Sequence, residues 1–263
     1  MAGSKFFGFI GGYWRANWAA AMEYRASFLM QFFGMFLNDG IWVLFWSLYF
    51  TRFPMVKGWT LQDLIMLWSI VTASFGLAFG VFYNAARLPE LVVQGQLDYY
   101  LALPKPVLLH LLVSQFRFLN LGDALFGPLL LLFFAKLTLV KLLLYILVVL
   151  CGTFIFLGFA VTVGSLVFFL GQAEGLAGNL VGVLVHFATY PTGIFSKGVR
   201  VLLFTLIPAG LVATLPVQIL RDFNWGDLGL LVVGAVGFAS LGALLFTLGL
   251  RRYESGNLMM MRQ

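Results

Sequence analysis

Charge is the scarcest property of this chain. Lysine, arginine, aspartate and glutamate make up 10% of its 263 residues, against about 25% in an ordinary soluble domain, while 62% of the residues are hydrophobic. That balance excludes a soluble globular protein and leaves an integral membrane one. A single cysteine, Cys151, excludes an intrachain disulfide. The two histidines, His110 and His186, stand far apart without flanking acids, which argues against a metal site. No Gly-Lys dipeptide occurs, so the G-x-x-x-x-G-K-[ST] phosphate loop is missing. No paired-carboxylate, Cys/His or G-x-S-x-G arrangement points to catalysis. The chain therefore reads as no enzyme, with no cofactor of its own.

What is present is a series of long apolar runs. At ~20 residues per crossing the length accommodates about six spans and leaves no room for a second soluble domain, so residues 1–263 are expected to form one membrane domain. The net charge of +6 comes from basic residues scattered at the ends of apolar runs, a placement that suits lipid head groups and not nucleic acid. No compact apolar core with a small-residue cleavage site follows Lys5, so no removable signal peptide is expected.

Residues 5–24 place Phe7, Ile10, Trp14 and Trp18 at helical spacing among Lys5, Arg15, Asn17 and Glu23. Tryptophan and tyrosine favour the head-group layer, so this is expected to be an interfacial helix. Spans are expected at about 26–50, 61–86, 107–134, 137–170, 176–190 and 228–250. Between the last two, residues 191–220 are apolar but broken by Pro191, Gly193, Gly198, Pro208, Gly210 and Pro216. Irregular backbone at membrane depth survives only where protein or water satisfies it, which suggests a re-entrant pair of short helices, or else a kinked span. Six spans put both termini on one side. Lys5, Arg15 and Arg25 near the start and Arg251, Arg252 and Arg262 near the end favour the cytoplasm for both, although Arg52, Lys57, Lys136, Lys141, Lys197, Arg200 and Arg221 would then fall outside.

The most distinctive stretch is 87–106, RLPELVVQGQLDYYLALPKP, where the chain turns polar between two hydrophobic runs. Pro89 suits a first helical turn, Glu90 suits the positive end of a helix dipole, Gly95 is a natural stop, and Pro104 with Pro106 delays the next helix. A short surface helix, where something docks, is expected.

Within spans, ionisable groups are costly enough to single out. Asp39 sits in the middle of the first, and Arg117, Asn120 and Asp123 fall at i+3 steps on the third. They read either as a polar lining for a substrate path or as an interhelical polar network that fixes packing. Gly76/Gly80 and Gly178/Gly182 are small-xxx-small pairs that allow close helix approach.

The order of elements resembles the permease subunit of ABC-2 type ATP-binding cassette exporters, over essentially the whole chain. The pieces that carry the resemblance are Glu23-Tyr-Arg-Ala-Ser-Phe28, Gly95-Gln-Leu-Asp-Tyr-Tyr-Leu-Ala-Leu-Pro104, Ile207-Pro208 with Leu215-Pro216, and Gly249-Leu-Arg-Arg-Tyr-Glu254. They look like the small bacterial subgroup in which two different permeases work with one separate ATPase. The resemblance implies an all-α fold of six transmembrane helices with an interfacial N-terminal helix, a cytoplasmic coupling helix at about Leu88 to Leu103 and a re-entrant pair before the last span. It implies a multi-pass protein of the bacterial plasma (inner) membrane and a separate nucleotide-binding subunit that carries ATP and Mg. A second permease would complete the path, as a heterodimer or a homodimer. The docking residues it implies are Glu90, Leu91, Gln94, Leu97, Asp98 and Tyr99, with a second docking loop at Glu174. The cargo would be hydrophobic or amphiphilic: a drug-like organic cation, a lipid or a peptide. The competing reading is an ion-coupled secondary transporter, which commonly shows matching broken helices in two halves; here only one segment looks broken.

Overall fold

The computed structural model describes residues 2–134, 138–171 and 173–254, with side chains from Gly8 onward. The side chain of Lys5, residues Lys136 and Arg262, and the tail beyond Glu254 lie outside the described residues. Helix makes up 82% of the chain, and no strand is present among the described residues.

Helix α1 (Ala2–Glu23) passes into α2 (Arg25–Arg52) through a one-residue break at Tyr24. A tight turn at Lys57-Gly58 follows, both residues at positive φ, with Val56 and Trp59 exchanging backbone hydrogen bonds. Thr60 and Asp63 then form a reciprocal capping box, which satisfies the free N–H groups at the start of α3 (Leu61–Val81). The polar stretch becomes α4 (Asn84–Val93) and α5 (Leu97–Leu101), and the next apolar run splits into α6 (Val107–Val113) and α7 (Phe118–Phe134). Helix α8 (Leu139–Gly164) is extended by α9 (Val167–Leu170), after which come α10 (Glu174–Ala188) and α11 (Lys197–Thr205). A π turn at Gly210–Thr214 leads into α12 (Leu215–Arg221), and α13 (Trp225–Leu250) ends the helices.

Four helices are long and apolar enough to cross a membrane alone: α2, α3, α8 with α9, and α13. Two more crossings are available if each bent pair counts as one, α6–α7 with an 80° bend and α11–α12 with an 83° bend. The second bend falls in the segment where prolines and glycines foretold a break. The first was not foretold, because residues 114–117 carry no proline or glycine. Their backbone turns because other elements supply its partners: Arg117 N–H donates to Gly80 O at 2.8 Å, Phe116 N–H donates to Asn17 Oδ1 at 3.1 Å, and Asn17 Nδ2 donates to Ser114 O at 3.3 Å. Helix α10 is apolar but, at 15 residues, shorter than the four long helices.

The core is built on α3, which packs against α7 and α8, while α8 also packs along α13. Small residues set these approaches. A Cβ on Gly76 would collide with the backbone of Ala124 and Asn120, so α3 and α7 touch backbone to backbone there, and the Gly76/Gly80 pair is spent inside the chain. Gly158 and Gly242 do the same for α8 against α13. Gly178 and Gly182 face nothing within 4 Å among the described residues. Ser69 bridges three helices, with its hydroxyl donating to Gly127 O at 2.6 Å and lying 3.0 Å from Tyr145 OH.

Candidate functional site

Two polar sites interrupt this apolar body. The first is the surface element α4–α5. Helix α4 starts a turn earlier than expected, at Asn84, because α3 ends at Val81, and Pro89 therefore lies inside the helix and not in its first turn. Glu90 likewise sits mid-helix, where its partner is a side chain: Arg87 Nε and Nη2 donate to its two oxygens at 3.0 and 3.1 Å. The hydrogen bond from Arg87 holds the Glu90 carboxyl below its ordinary value. Gly95, at φ 68°, closes α4 in a Schellman arrangement, with Gln96 N–H returning to Leu91 O at 2.9 Å and Gly95 N–H to Val92 O at 3.1 Å.

The docking residues named from the sequence divide by direction. Leu91 and Leu97 are buried in the core with Leu88, where they fasten the element to the body. Gln94 and Tyr99 are exposed and Glu90 is half-exposed, so they form the outward face together with Val93 and Gln96. Asp98 is partly buried and faces Tyr253, just beyond the end of α13. Helix α4 packs against α8, α9 and α10, and Glu174 stands exposed in the first turn of α10.

The element is tied to the N-terminal helix by a cluster that sequence reasoning missed. Asn84 Nδ2 donates to Ser114 Oγ at 2.8 Å and to Leu111 O at 3.0 Å. The His110 ring is buried against Tyr100, Phe9 and Tyr13, with Tyr13 OH 2.7 Å from His110 Nε2. Burial and the neighbouring Tyr99 push the Tyr13 hydroxyl up to about 12. Arg87 reaches on to Gln115 Oε1 at 2.7 Å. The participants are spread from Phe9 to Gln115, so no local spacing signalled the cluster. His186 is exposed on α10, where it lines a shallow apolar pocket of about 230 Å³ with Phe187, Tyr190, Ile194 and Phe195.

The second polar site lies inside the body. Asp39 on α2 and Asp123 on α7 are both buried and face one another, beside the indole of Trp68 on α3. The approach is set one turn earlier, where a Cβ on Gly122 would stand 3.1 Å from Phe32 O and 3.2 Å from Met35 Cβ. Asn120 is buried on the same helix as Asp123. Arg117 is not part of this group: it precedes α7, is exposed, and its guanidinium lies over the Tyr83 ring at 5.0 Å.

No curated protein and no solved structure matches the chain. The family model described as ABC-2 family transporter protein matches residues 9–256, nearly the whole length. That family is the membrane component of its transporters and implies an ABC ATPase partner and, typically, paired permeases. With its apolar helical body and a polar helical element at one end of it, the chain belongs to the ABC-2 family of transporter proteins, as a multi-pass membrane permease subunit.

Proposed function

We propose that this permease is half of an ATP-driven exporter in a bacterial inner membrane and that α4–α5 is the coupling element on which the nucleotide-binding subunit docks. The observation that carries the reading is the two-sided construction of that element. Its leucines are buried in the body, so a push on Glu90, Gln94 or Tyr99 is transmitted to α8, α9 and α10 and not absorbed by a loop. Both termini are cytoplasmic on this reading, which takes the 15-residue α10 as a short fifth crossing; α1 lies along the interface, and the bent α11–α12 pair re-enters on the far side. A second permease, different or identical, completes the path for a hydrophobic or amphiphilic cargo, and Glu174 adds a smaller contact with the ATPase. ATP and Mg stay on that partner.

The test is co-purification from mild detergent of the tagged full-length chain, wild type beside a Gln94→Asp/Tyr99→Asp double variant. Both positions are exposed, and because Tyr99 also neighbours Tyr13 and His110, retention of the second permease by the variant is the check that it folds. Wild type retains an ABC ATPase and a second permease, and the double variant loses the ATPase alone. Wild type free of any ATPase across several detergents would sink the reading and bring ion-coupled transport forward.

A further inference from the structure

We propose that Asp39 and Asp123 form a proton-binding pair inside the membrane, one proton held between two carboxyls, and that release of this proton frees α2 from the α3–α7 body. The inference needs only that the chain crosses a membrane and is independent of cargo and direction.

Asp39 stands at the middle of the 28-residue α2, so it lies about 20 Å from either end of the helix. Asp39 is 4% exposed, Asp123 2% and Trp68 7%. Asp39 Oδ2, both oxygens of Asp123 and Trp68 Nε1 have no hydrogen-bond partner among the described residues. The charges around the pair do not answer it. The basic residues of α2 are Arg25 and Arg52, at its two ends; α3 carries only Asp63 and α7 only Asp123. Asp63 is engaged by the Thr60 cap and by Arg221 at 3.4 Å, Arg117 is turned to Tyr83, and Tyr145 of α8 donates to Ser69 O at 3.2 Å.

Two ionised carboxylates are acceptors only and cannot bond each other. Each is costly at membrane depth, before their mutual repulsion, and like charges so placed do not both ionise. One proton resolves this. It makes one acid a donor to the other, halves the buried charge, and leaves the Trp68 N–H to serve a remaining oxygen. When the proton leaves for water the pair passes from a charge of −1 to −2 and loses its internal hydrogen bond.

The consequence falls on α2. Asp39 and Phe50 are its only buried residues, and its other side-chain hydrogen bonds, from Gln31, Ser47 and Thr51, stay within the helix. Among the described residues the acid pair is therefore the one polar tie between α2 and the body.

The experiment uses the full-length chain in lipid nanodiscs, titrated from about pH 5 to about pH 10 to span the range between carboxylates and lysine. Infrared difference spectra read the carbonyl band of a protonated carboxyl. In parallel, a bifunctional reagent joins cysteines placed at Phe36 and Phe126, whose rings are 5.4 Å apart, in a Cys151→Ala background. Expected is a carboxyl band that persists at neutral pH and disappears in one step on raising pH, with cross-linking falling several-fold over the same step. Asp39→Asn and Asp123→Asn each abolish the band and make cross-linking independent of pH, because an amide donates to the remaining carboxylate. Asp39→Glu keeps the band and moves its midpoint, which guards against loss of folding in the amides. Absence of the band at neutral pH, or its survival in both amide variants, overturns the proton site. A band that titrates while cross-linking stays constant overturns the release of α2.

Discussion

Helix α3 has 78% of its most apolar stretch buried inside the chain, and α2 has 6%. Both are apolar helices long enough to cross a membrane, and they are neighbours in sequence, so hydrophobicity says only that each leaves water. What separates them is side-chain size on the contact face. Helix α3 presents Ser69, Ala73, Gly76 and Gly80, which let α7 approach backbone to backbone. Helix α2 presents Phe33, Leu37, Trp42 and Phe45 outward, and no small-residue seam draws it in beyond the touch at Gly122. Within a bilayer lipid tails are as apolar as leucine, so close packing and hydrogen bonds decide which helix belongs to the body.

The sharpest way to break this contrast is to fill the seam. Gly76→Leu drives a side chain into the α7 backbone and is expected to cost about 3 kcal/mol or more, read as loss of monodisperse protein or a large fall in Tm in detergent. Gly34→Leu on α2, with nothing within 4 Å of its Cβ position, is expected to stay within about 0.5 kcal/mol of wild type. Equal losses would erase the distinction.

Next in size is Ser69→Ala, which removes the bridge to Gly127 and Tyr145 and is expected to cost about 1 kcal/mol. Its counterpart Ser47→Ala on α2 loses only a bond to Val43 O of its own helix and should leave Tm unchanged. Truncating the outer face sharpens the contrast in another way. Phe33→Ala with Leu37→Ala, residues 57% and 71% exposed, leaves the stability of the single chain within about 0.5 kcal/mol, read as an unchanged Tm in detergent. A fall in single-chain stability instead would mean that α2 packs inward.

The smallest effect lies past the end of α3, on α4. The folded-state value of Glu90 is lowered by Arg87, so the pair contributes above the unfolded carboxylate value, about 4.3, and the contribution is lost as pH falls through the lower folded value. Wild type and Glu90→Gln are expected to differ in Tm at neutral pH and to converge in acid. Because Glu90 is 43% exposed, the difference stays below about 1 kcal/mol.

Much of the helical order was readable from the chain because apolar runs and polar interruptions are local signals. Gly95 marked its helix end and Pro208 with Gly210 marked a bend, since both residue types act through their own backbone. The bend at 114–117 was invisible, because Asn17, Gly80 and Tyr83 hold it from elsewhere. The same reason hid the start of α4 at Asn84 and the His110 cluster. Asp39 and Asp123 stood out by residue type, yet their pairing depends on how α2 crosses α7, and no spacing along one helix reports that. Arg117 kept the i+3 rhythm and still faces away, because the helix begins only after it.

The bend at 114–117 also bears on how the protein is made. Its backbone is completed by Asn17, Gly80 and Tyr83, and all three precede it in the chain. By the time the ribosome delivers residues 114–117 to the membrane, the Asn17, Gly80 and Tyr83 groups that receive them have already been synthesised. Transplanting α1 to the other end of the gene would leave the finished contacts possible but would make the nascent bend wait, without its Asn17 partners, for the last helix to emerge.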